Sequence, residues 1–106
     1  MAKFLITGSY TAEGAKGLMK EGGSGRKAAV QKALEGLGGT LESIYFPFGA
    51  DDVIVVCDMP DTVSAFALSL AVNASGAVRI STAPLLSVED VDAACKKTVS
   101  YRPAGS

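Results

Sequence analysis

Arg79 and the adjacent carboxylates Asp51 and Asp52 are the residues whose type and position best suit chemistry. The 106-residue chain contains no histidine, so proton transfer would have to use carboxylate, tyrosine, lysine or cysteine side chains. Two crowded carboxylates can share a proton and act as a general acid or base. Asp side chains also bond the backbone of turns, so turn formation explains the same pair.

Arg79 is a charge inside a predicted strand with apolar neighbours. In a closed barrel its guanidinium would bind a carboxylate or an enolate, with Tyr10 or Tyr45 as a phenol donor. Alternatively, Arg79 lies on an edge strand and pairs across a subunit interface with Asp52 or Asp58. Both interpretations stay open at this point.

A glycine-rich run, G-G-S-G-R-K from Gly22, precedes a predicted helix. Backbone amides and cations at a helix start can bind an anion, which makes Ser24, Gly25 and Arg26 candidates for a weak anion site. The run lacks the spacing of a phosphate-binding P-loop. A flexible connection into an ordinary helix is the competing interpretation.

Several classes of function are disfavoured by composition. The net charge of −1, with both signs interspersed, does not provide the positive surface that nucleic acids or anionic membranes need. Cys57 and Cys95 stand alone, and two cysteines without histidine do not complete a zinc site, so we expect no metal and no cofactor. No secretory signal follows Met1 and no run is long and apolar enough to span a membrane, which makes the cytoplasm the expected location.

The central hairpin organises the predicted fold. Residues 41–48 and 53–59 are rich in strand formers and flank a four-residue turn, 49–52. The second of these strands is apolar on both faces, which predicts a central strand covered on both sides. Further strands are predicted at residues 3–10 and 77–86. Phe46 and Phe48 fall on one face of the first hairpin strand, a pattern typical of core packing.

Helices are predicted between these strands. Residues 11–21 predict a short, loose turn ending at Gly22-Gly23, and Ser24 is the expected N-cap of a helix that ends at Gly38-Gly39. Asp61 and Ser87 are expected to cap two further helices. In the helix after Asp61, we expect the inward stripe to be Val63, Phe66, Ala67, Leu70 and Ala71, with Ala65, Leu68 and Val72 on the other flank. In the last helix, Val88, Val91, Ala94 and Cys95 are expected to face inward.

The element order predicts an α+β fold of the ferredoxin-like βαββαβ type, with an antiparallel sheet and the main helices on one face. Its first and third strands should lie at the centre. The 48% hydrophobic content is high for a chain of this length. We therefore expect the open sheet face to be covered by another subunit, giving a homo-oligomeric α/β barrel.

Four runs carry a family resemblance: Y-T-A-E-G-A-K-G-L from Tyr10, G-G-S-G-R-K-A-A-V from Gly22, L-G-G-T-L-E-S-I-Y-F-P-F-G from Leu37, and A-V-N-A-S-G-A-V-R from Ala71. Together they resemble the GYD domain family of small bacterial proteins. The resemblance implies a ferredoxin-like domain of the dimeric α/β-barrel type, with no established biochemical role. The family's G-x-Y-D turn corresponds here to Gly49-Ala50-Asp51-Asp52, so Asp51 stands at the tyrosine position.

The sequence therefore predicts one domain over residues 1–97 and a tail over 98–106. Its predicted function is to bind a small organic ligand between sheet and helices, in a pocket lined by Tyr10, Phe46, Arg79 and Asp51, with cofactor-free acid–base chemistry as a possible activity. The alternative is a non-catalytic assembly or regulatory protein that docks partners through Ala65, Leu68 and Val72. The sequence does not decide whether the protein is an enzyme.

Overall fold

The computed structural model, which describes residues 1–105, contains four strands and three helices. The elements are β1 (Ala2–Tyr10), α1 (Ala12–Gly36), β2 (Thr40–Tyr45), β3 (Val53–Met59), α2 (Thr62–Ala74), β4 (Val78–Leu85) and α3 (Val88–Cys95). Within this described part, no helix combines the length and apolar character needed to cross a bilayer.

The strands form one antiparallel sheet in the order β2-β3-β1-β4. The first and third strands of the chain are therefore central, as predicted, and the α+β ferredoxin-like arrangement is confirmed. α1 packs mainly on β2, and α2 packs mainly on β4. Both helices lie on the same side of the sheet, because the buried residues of β1 and β3 share one face.

The core lies between this helix-covered face and the two helices. Alternation along the central strands sends Phe4 and Ile6 of β1 to the same side as Val55 and Cys57 of β3, which are their partners in the register. Leu34 of α1 is fully buried against them. The residues between these positions point to the other side, which we call the open face.

The hairpin loop is longer than predicted, because β2 ends at Tyr45 and not at Phe48. Pro47 has no N–H to donate to a ladder, so the strand ends shortly before it. Phe46 is consequently partly exposed and Phe48 is fully exposed, which corrects their assignment to the core.

A single helix, α1, replaces the loose turn and the second helix that were predicted. Its one non-helical residue is Gly22, at φ 74° and ψ 174°, so the predicted break appears as a kink. Ser24 lies inside the resumed helix and does not cap it. The N-cap of α1 is Thr11, whose hydroxyl accepts the N–H of Gly14.

The inward face of α2 is the opposite of the predicted one. Ala65 and Leu68 are buried in the core, whereas Val63, Phe66 and Leu70 are exposed. Both flanks of this helix are apolar, so its periodicity did not identify the buried flank. Small Ala65 lets the helix backbone approach the sheet, and the bulkier flank is left outside.

The last helix also differs from its predicted packing. Every residue of α3 is exposed, including Val88 and Val91, and the helix shares no extended contact with the strands or other helices of residues 1–105. The two predicted caps are confirmed. The Asp61 carboxylate accepts the N–H of Ser64, and Ser87 and Asp90 form a reciprocal capping box.

Candidate functional site

An apolar cleft of about 440 Å³ lies between α1 and α2, with the sheet as its floor. The two helices share no extended contact with each other, so a gap remains above the centre of the sheet. The floor contains Ile6 and Val55. The helix walls are formed by Ala29, Val30, Ala33, Leu68, Ala71 and Val72.

Small side chains explain why the cleft is not filled. Ala29 and Ala33 are one turn apart on α1, and Ala71 faces them from α2. Alanine carries too little volume to close the space between two helices that rest separately on a sheet. The feature of the sequence that indicates the cleft is therefore a set of alanines on two facing helices. The helical period alone does not distinguish these alanines from ordinary core residues.

Two polar side chains, Tyr10 and Arg26, lie at one end of the cleft. Tyr10 is the last residue of β1, and its even position in the strand directs it to the helix-covered side. The N–H and hydroxyl of the next residue, Thr11, donate to the carbonyl oxygen of Ala77, at 3.0 and 3.1 Å. These bonds hold the start of α1 and the α2–β4 loop together beside the Tyr10 ring.

Burial raises the pKa of the Tyr10 phenol, with a smaller opposing effect from the nearby Arg26 cation. The phenol therefore stays protonated at neutral pH and is available as a hydrogen-bond donor. Arg26 forms an ion pair with Glu21, at 3.2 Å, across the kink at Gly22. Both Tyr10 and Arg26 also line a neighbouring hollow of about 530 Å³, together with Glu13 and Lys20. The apolar cleft thus ends in a charged vestibule.

The hairpin turn is fastened beside Tyr10 by Asp52. Its backbone N–H donates to the Gly8 carbonyl, at 2.7 Å, and its carboxylate accepts the Tyr10 N–H, at 2.9 Å. The Ser9 hydroxyl donates to the Ala50 carbonyl, at 3.0 Å. Asp52 therefore has a structural partner, in agreement with the turn interpretation, whereas Asp51 does not line the cleft.

The sheet separates the other candidate residues from Tyr10. Arg79 pairs with Ser9 and Tyr45 pairs with Ile54, which places Arg79 and Tyr45 on the open face. Phe46 does not line the cleft either. It borders a groove of about 460 Å³ between α1 and β2, together with Ser24 and Lys27.

The residues of the predicted anion site, Ser24, Gly25 and Arg26, do not border one common pocket. Ser24 borders the α1–β2 groove, whereas Arg26 borders the cleft and the vestibule. Gly25 lies beside Glu21: a Cβ added at Gly25 would be 3.0 Å from the Cβ of Glu21. The run therefore supplies Arg26 to the cleft and does not form one three-residue site.

The open face carries an ion-pair network at one corner and the cation of Arg79 at the other. The Lys3 ammonium bonds the carboxylate of Glu42 and lies 3.3 Å from that of Asp58. These partners raise the pKa of Lys3, the Glu42 hydrogen bond most of all. Arg79 lies on the edge strand β4, at the opposite end of the face.

Comparison with known proteins adds one assignment. No curated protein matches the chain significantly. A family model described as the GYD domain matches residues 4–95, which include all four strands, apart from the first two residues of β1, and all three helices. The match covers most of the 106 residues. The chain therefore belongs to the GYD domain family.

Proposed function

We propose that the protein binds a small organic ligand in the cleft between α1 and α2. The observation that supports this proposal is the cleft itself, which joins an apolar floor and walls to polar groups at one end. Concave apolar sites with a few converging polar groups are the usual form of small-molecule sites. The volume of about 440 Å³ lies in the range of such sites.

The ligand proposed for this cleft has an apolar body and one acceptor or anionic group. Its body would cover the floor at Ile6 and Val55, where polar atoms would lose their hydrogen bonds to water. Its oxygen atoms would accept hydrogen bonds from the Tyr10 phenol and the Arg26 guanidinium. If the protein is catalytic, Tyr10 is the acid–base group that a ligand in the cleft would meet.

A fluorescent pair of probes tests this proposal. 8-Anilinonaphthalene-1-sulfonate is an apolar aromatic anion, and N-phenyl-1-naphthylamine is its neutral counterpart. We expect saturable fluorescence enhancement with both probes. Ala29→Phe should abolish it because the ring occupies the cleft, whereas Ala28→Phe, at an exposed position outside the cleft, should leave it unchanged. Equal binding by both variants would rule out the cleft as the site.

The variant Arg26→Met tests how much the polar end of the cleft contributes to binding, apart from contacts with the apolar body of the ligand. Loss of a charge-assisted hydrogen bond should weaken binding of the sulfonate roughly tenfold, with little change for the neutral probe. Circular dichroism controls for folding of each variant. An equal loss for both probes would show that Arg26 supports the cleft only through packing.

We propose, as a second function, assembly of copies through the open face into an α/β barrel. Leu5, Ile54 and Val56 lie on this face and are only half-buried in one copy. A two-fold axis running diagonally across the face would bring Arg79 of one copy toward Asp58 of the other, in an orthogonal sheet packing. Complementary charges at the two ends of one face favour such a pairing.

Light scattering after size-exclusion chromatography tests the assembly. Val56→Asp should convert the assembly to a smaller species, because it introduces a charge in the middle of the covered face. Ala28→Asp, on the exposed side of α1, serves as the matched control. Arg79→Met should weaken assembly without affecting the fluorescent probes, since the sheet separates Arg79 from the cleft. A wild-type monomer at micromolar concentration would contradict this second proposal.

A further inference from the structure

The outer surface of α2 is apolar and contains no charge. Val63, Phe66 and Leu70 are 77%, 64% and 56% exposed, and none of the residues from Thr62 to Ala74 is ionisable. Scattered exposed apolar residues are common on proteins, but here three of them line one side of a helix that has no ionisable residue of its own. We call Val63, Phe66 and Leu70 the α2 stripe.

The C-terminal part of the chain is a second unpacked apolar element. All residues from 83 to 105 are exposed, and this range includes the whole of α3. An eight-residue helix gains too few backbone hydrogen bonds to be stable alone in water, so it depends on packing of its apolar side. The capping box at Ser87 favours the helix but does not cover that side.

The apolar side of α3 matches the α2 stripe in spacing. Val88, Val91 and Cys95 follow the same i, i+3, i+7 pattern as Val63, Phe66 and Leu70. Each set spans about 10 Å at the helical rise per residue. Glu89 and Asp90 lie on other sides of α3, and Asp92 borders the edge of the apolar side, four residues after Val88. The line of contact along Val88, Val91 and Cys95 therefore contains no charge.

Charge favours the antiparallel direction for this packing. Lys96 and Lys97 directly follow α3, and Asp61 is the N-cap of α2. In an antiparallel pair, these two lysines lie at the end of α2 that carries the Asp61 carboxylate. Cys95 then lies beside Val63, and Val88 lies beside Leu70.

Within one copy of the chain, α3 lies apart from the α2 stripe. The radius of gyration is 16.8 Å, against about 13 Å for a compact domain of this length, and the longest dimension is 55 Å. Only two residues, Leu86 and Ser87, separate β4 from α3, and α3 shares no extended contact with its own α2. In a symmetric exchange, the contact between α2 and α3 forms twice. The buried area is therefore doubled and comes closer to the roughly 800 Å² per partner of a stable complex.

We infer that α3 of one copy packs, antiparallel, on the α2 stripe of a second copy. The α2 stripe lies on the opposite side of the subunit from the open sheet face. The contact is therefore compatible with a dimer formed through the sheets, and it does not depend on such a dimer. It also does not use the cleft, whose walls come from other sides of α1 and α2.

Disulfide trapping tests the contact, with Cys95 as a natural thiol on α3. Val63→Cys should give a covalent dimer under mild oxidation on a non-reducing gel, whereas Leu70→Cys, at the other end of the stripe, should not. The exposed Ala28→Cys controls for random collision. Adding Cys95→Ser to Val63→Cys should abolish the dimer. Cys57 does not compete because it is fully buried.

The other outcomes would overturn the inference. A cross-linked monomer would show that α3 folds back on its own α2. A covalent dimer that persists with Cys95→Ser would show that two α2 stripes pair with each other. No cross-link in Val63→Cys, with the chain folded by circular dichroism, would show that the two surfaces do not meet.

An independent measurement is the strength of self-association. Phe66→Asp and Val91→Asp should each weaken it at least tenfold in sedimentation equilibrium, and the double variant should be little worse than either, because both changes act on one contact. Additive losses would contradict the shared contact. The Val63→Cys cross-link should survive Val56→Asp, which separates this contact from the proposed sheet dimer.

Discussion

Gly14 is the position where one added methyl group should have the clearest effect on the protein. It lies in the first turn of α1, and a Cβ there would be 1.8 Å from the carbonyl oxygen and 2.7 Å from the carbonyl carbon of Ala77. Both obstacles are backbone atoms, so no side chain can rotate away. Gly14→Ala should therefore displace the α2–β4 loop from α1 by more than about 1 Å.

Displacement of this loop strains the bonds that fasten it to Thr11. The Thr11 N–H donates to Ala77, and its hydroxyl donates to Gly76, at 2.9 Å, or Ala77, at 3.1 Å. Overpacking costs about 1 to 3 kcal/mol and a weakened hydrogen bond about 1 kcal/mol, while alanine regains about 1 kcal/mol of helix propensity. We expect Gly14→Ala to lower the free energy of unfolding by about 1 to 3 kcal/mol.

Urea denaturation followed by circular dichroism measures this effect, and Gly17→Ala is its matched control. Gly17 lies one turn further along α1, and a Cβ there would meet nothing within 4 Å. The control should raise the free energy of unfolding by up to about 1 kcal/mol. If Gly14→Ala is as stable as Gly17→Ala, the close approach of α1 to Ala77 is not part of the folded protein. Ala77 also lines the cleft, so Gly14→Ala should weaken probe binding as well.

Three further predictions concern titration and reactivity. The Ser64 N–H holds the pKa of Asp61 below its usual value, so stability from this cap is present above about pH 4 and is lost as the pH falls through the lowered pKa. The difference in unfolding free energy between wild type and Asp61→Asn should therefore shrink between about pH 5 and pH 2, and a constant difference would contradict it. Burial raises the pKa of Tyr10, so Tyr10→Phe should remove a phenol that ionises above about pH 10 in an absorbance titration, and stability from this group should fall as the pH rises above about 10. Burial also raises the pKa of the Cys57 thiol, and in Cys95→Ser this thiol should react with an aromatic disulfide reagent only on unfolding; rapid reaction in the folded state would contradict its burial.

Local patterns predicted the features that depend on neighbouring residues. Asp61 and Ser87 cap their helices as expected, because a cap needs only the first turn that follows it. The strand β3 begins and ends where its apolar run begins and ends. The order of elements then restricts the sheet to few topologies, so the central position of β1 and β3 followed from the chain order.

The candidate site was predicted only in part. A ligand pocket between sheet and helices was expected to include Tyr10, and Tyr10 does line the cleft, but Arg79 lies beyond the sheet on the open face. Alternation along a strand shows which residues share a face of the sheet, but it does not show which face the helices cover. The side of the sheet on which Arg79 lies was therefore not fixed by the pattern. Arg26 was noticed as a cation at a helix start, but not as a neighbour of Tyr10.

The sequence by itself determined the class of fold, the caps and the alternation of the central strands, because these depend on short-range geometry and on the periods of helix and strand. Only the tertiary structure decided which flank of α2 is buried, because both flanks are apolar and their burial depends on how closely the backbone can approach the sheet. It likewise decided that α1 and α2 stay apart and leave a cleft, and that α3 does not pack on the core. These features depend on the fit between distant surfaces, which no local pattern contains.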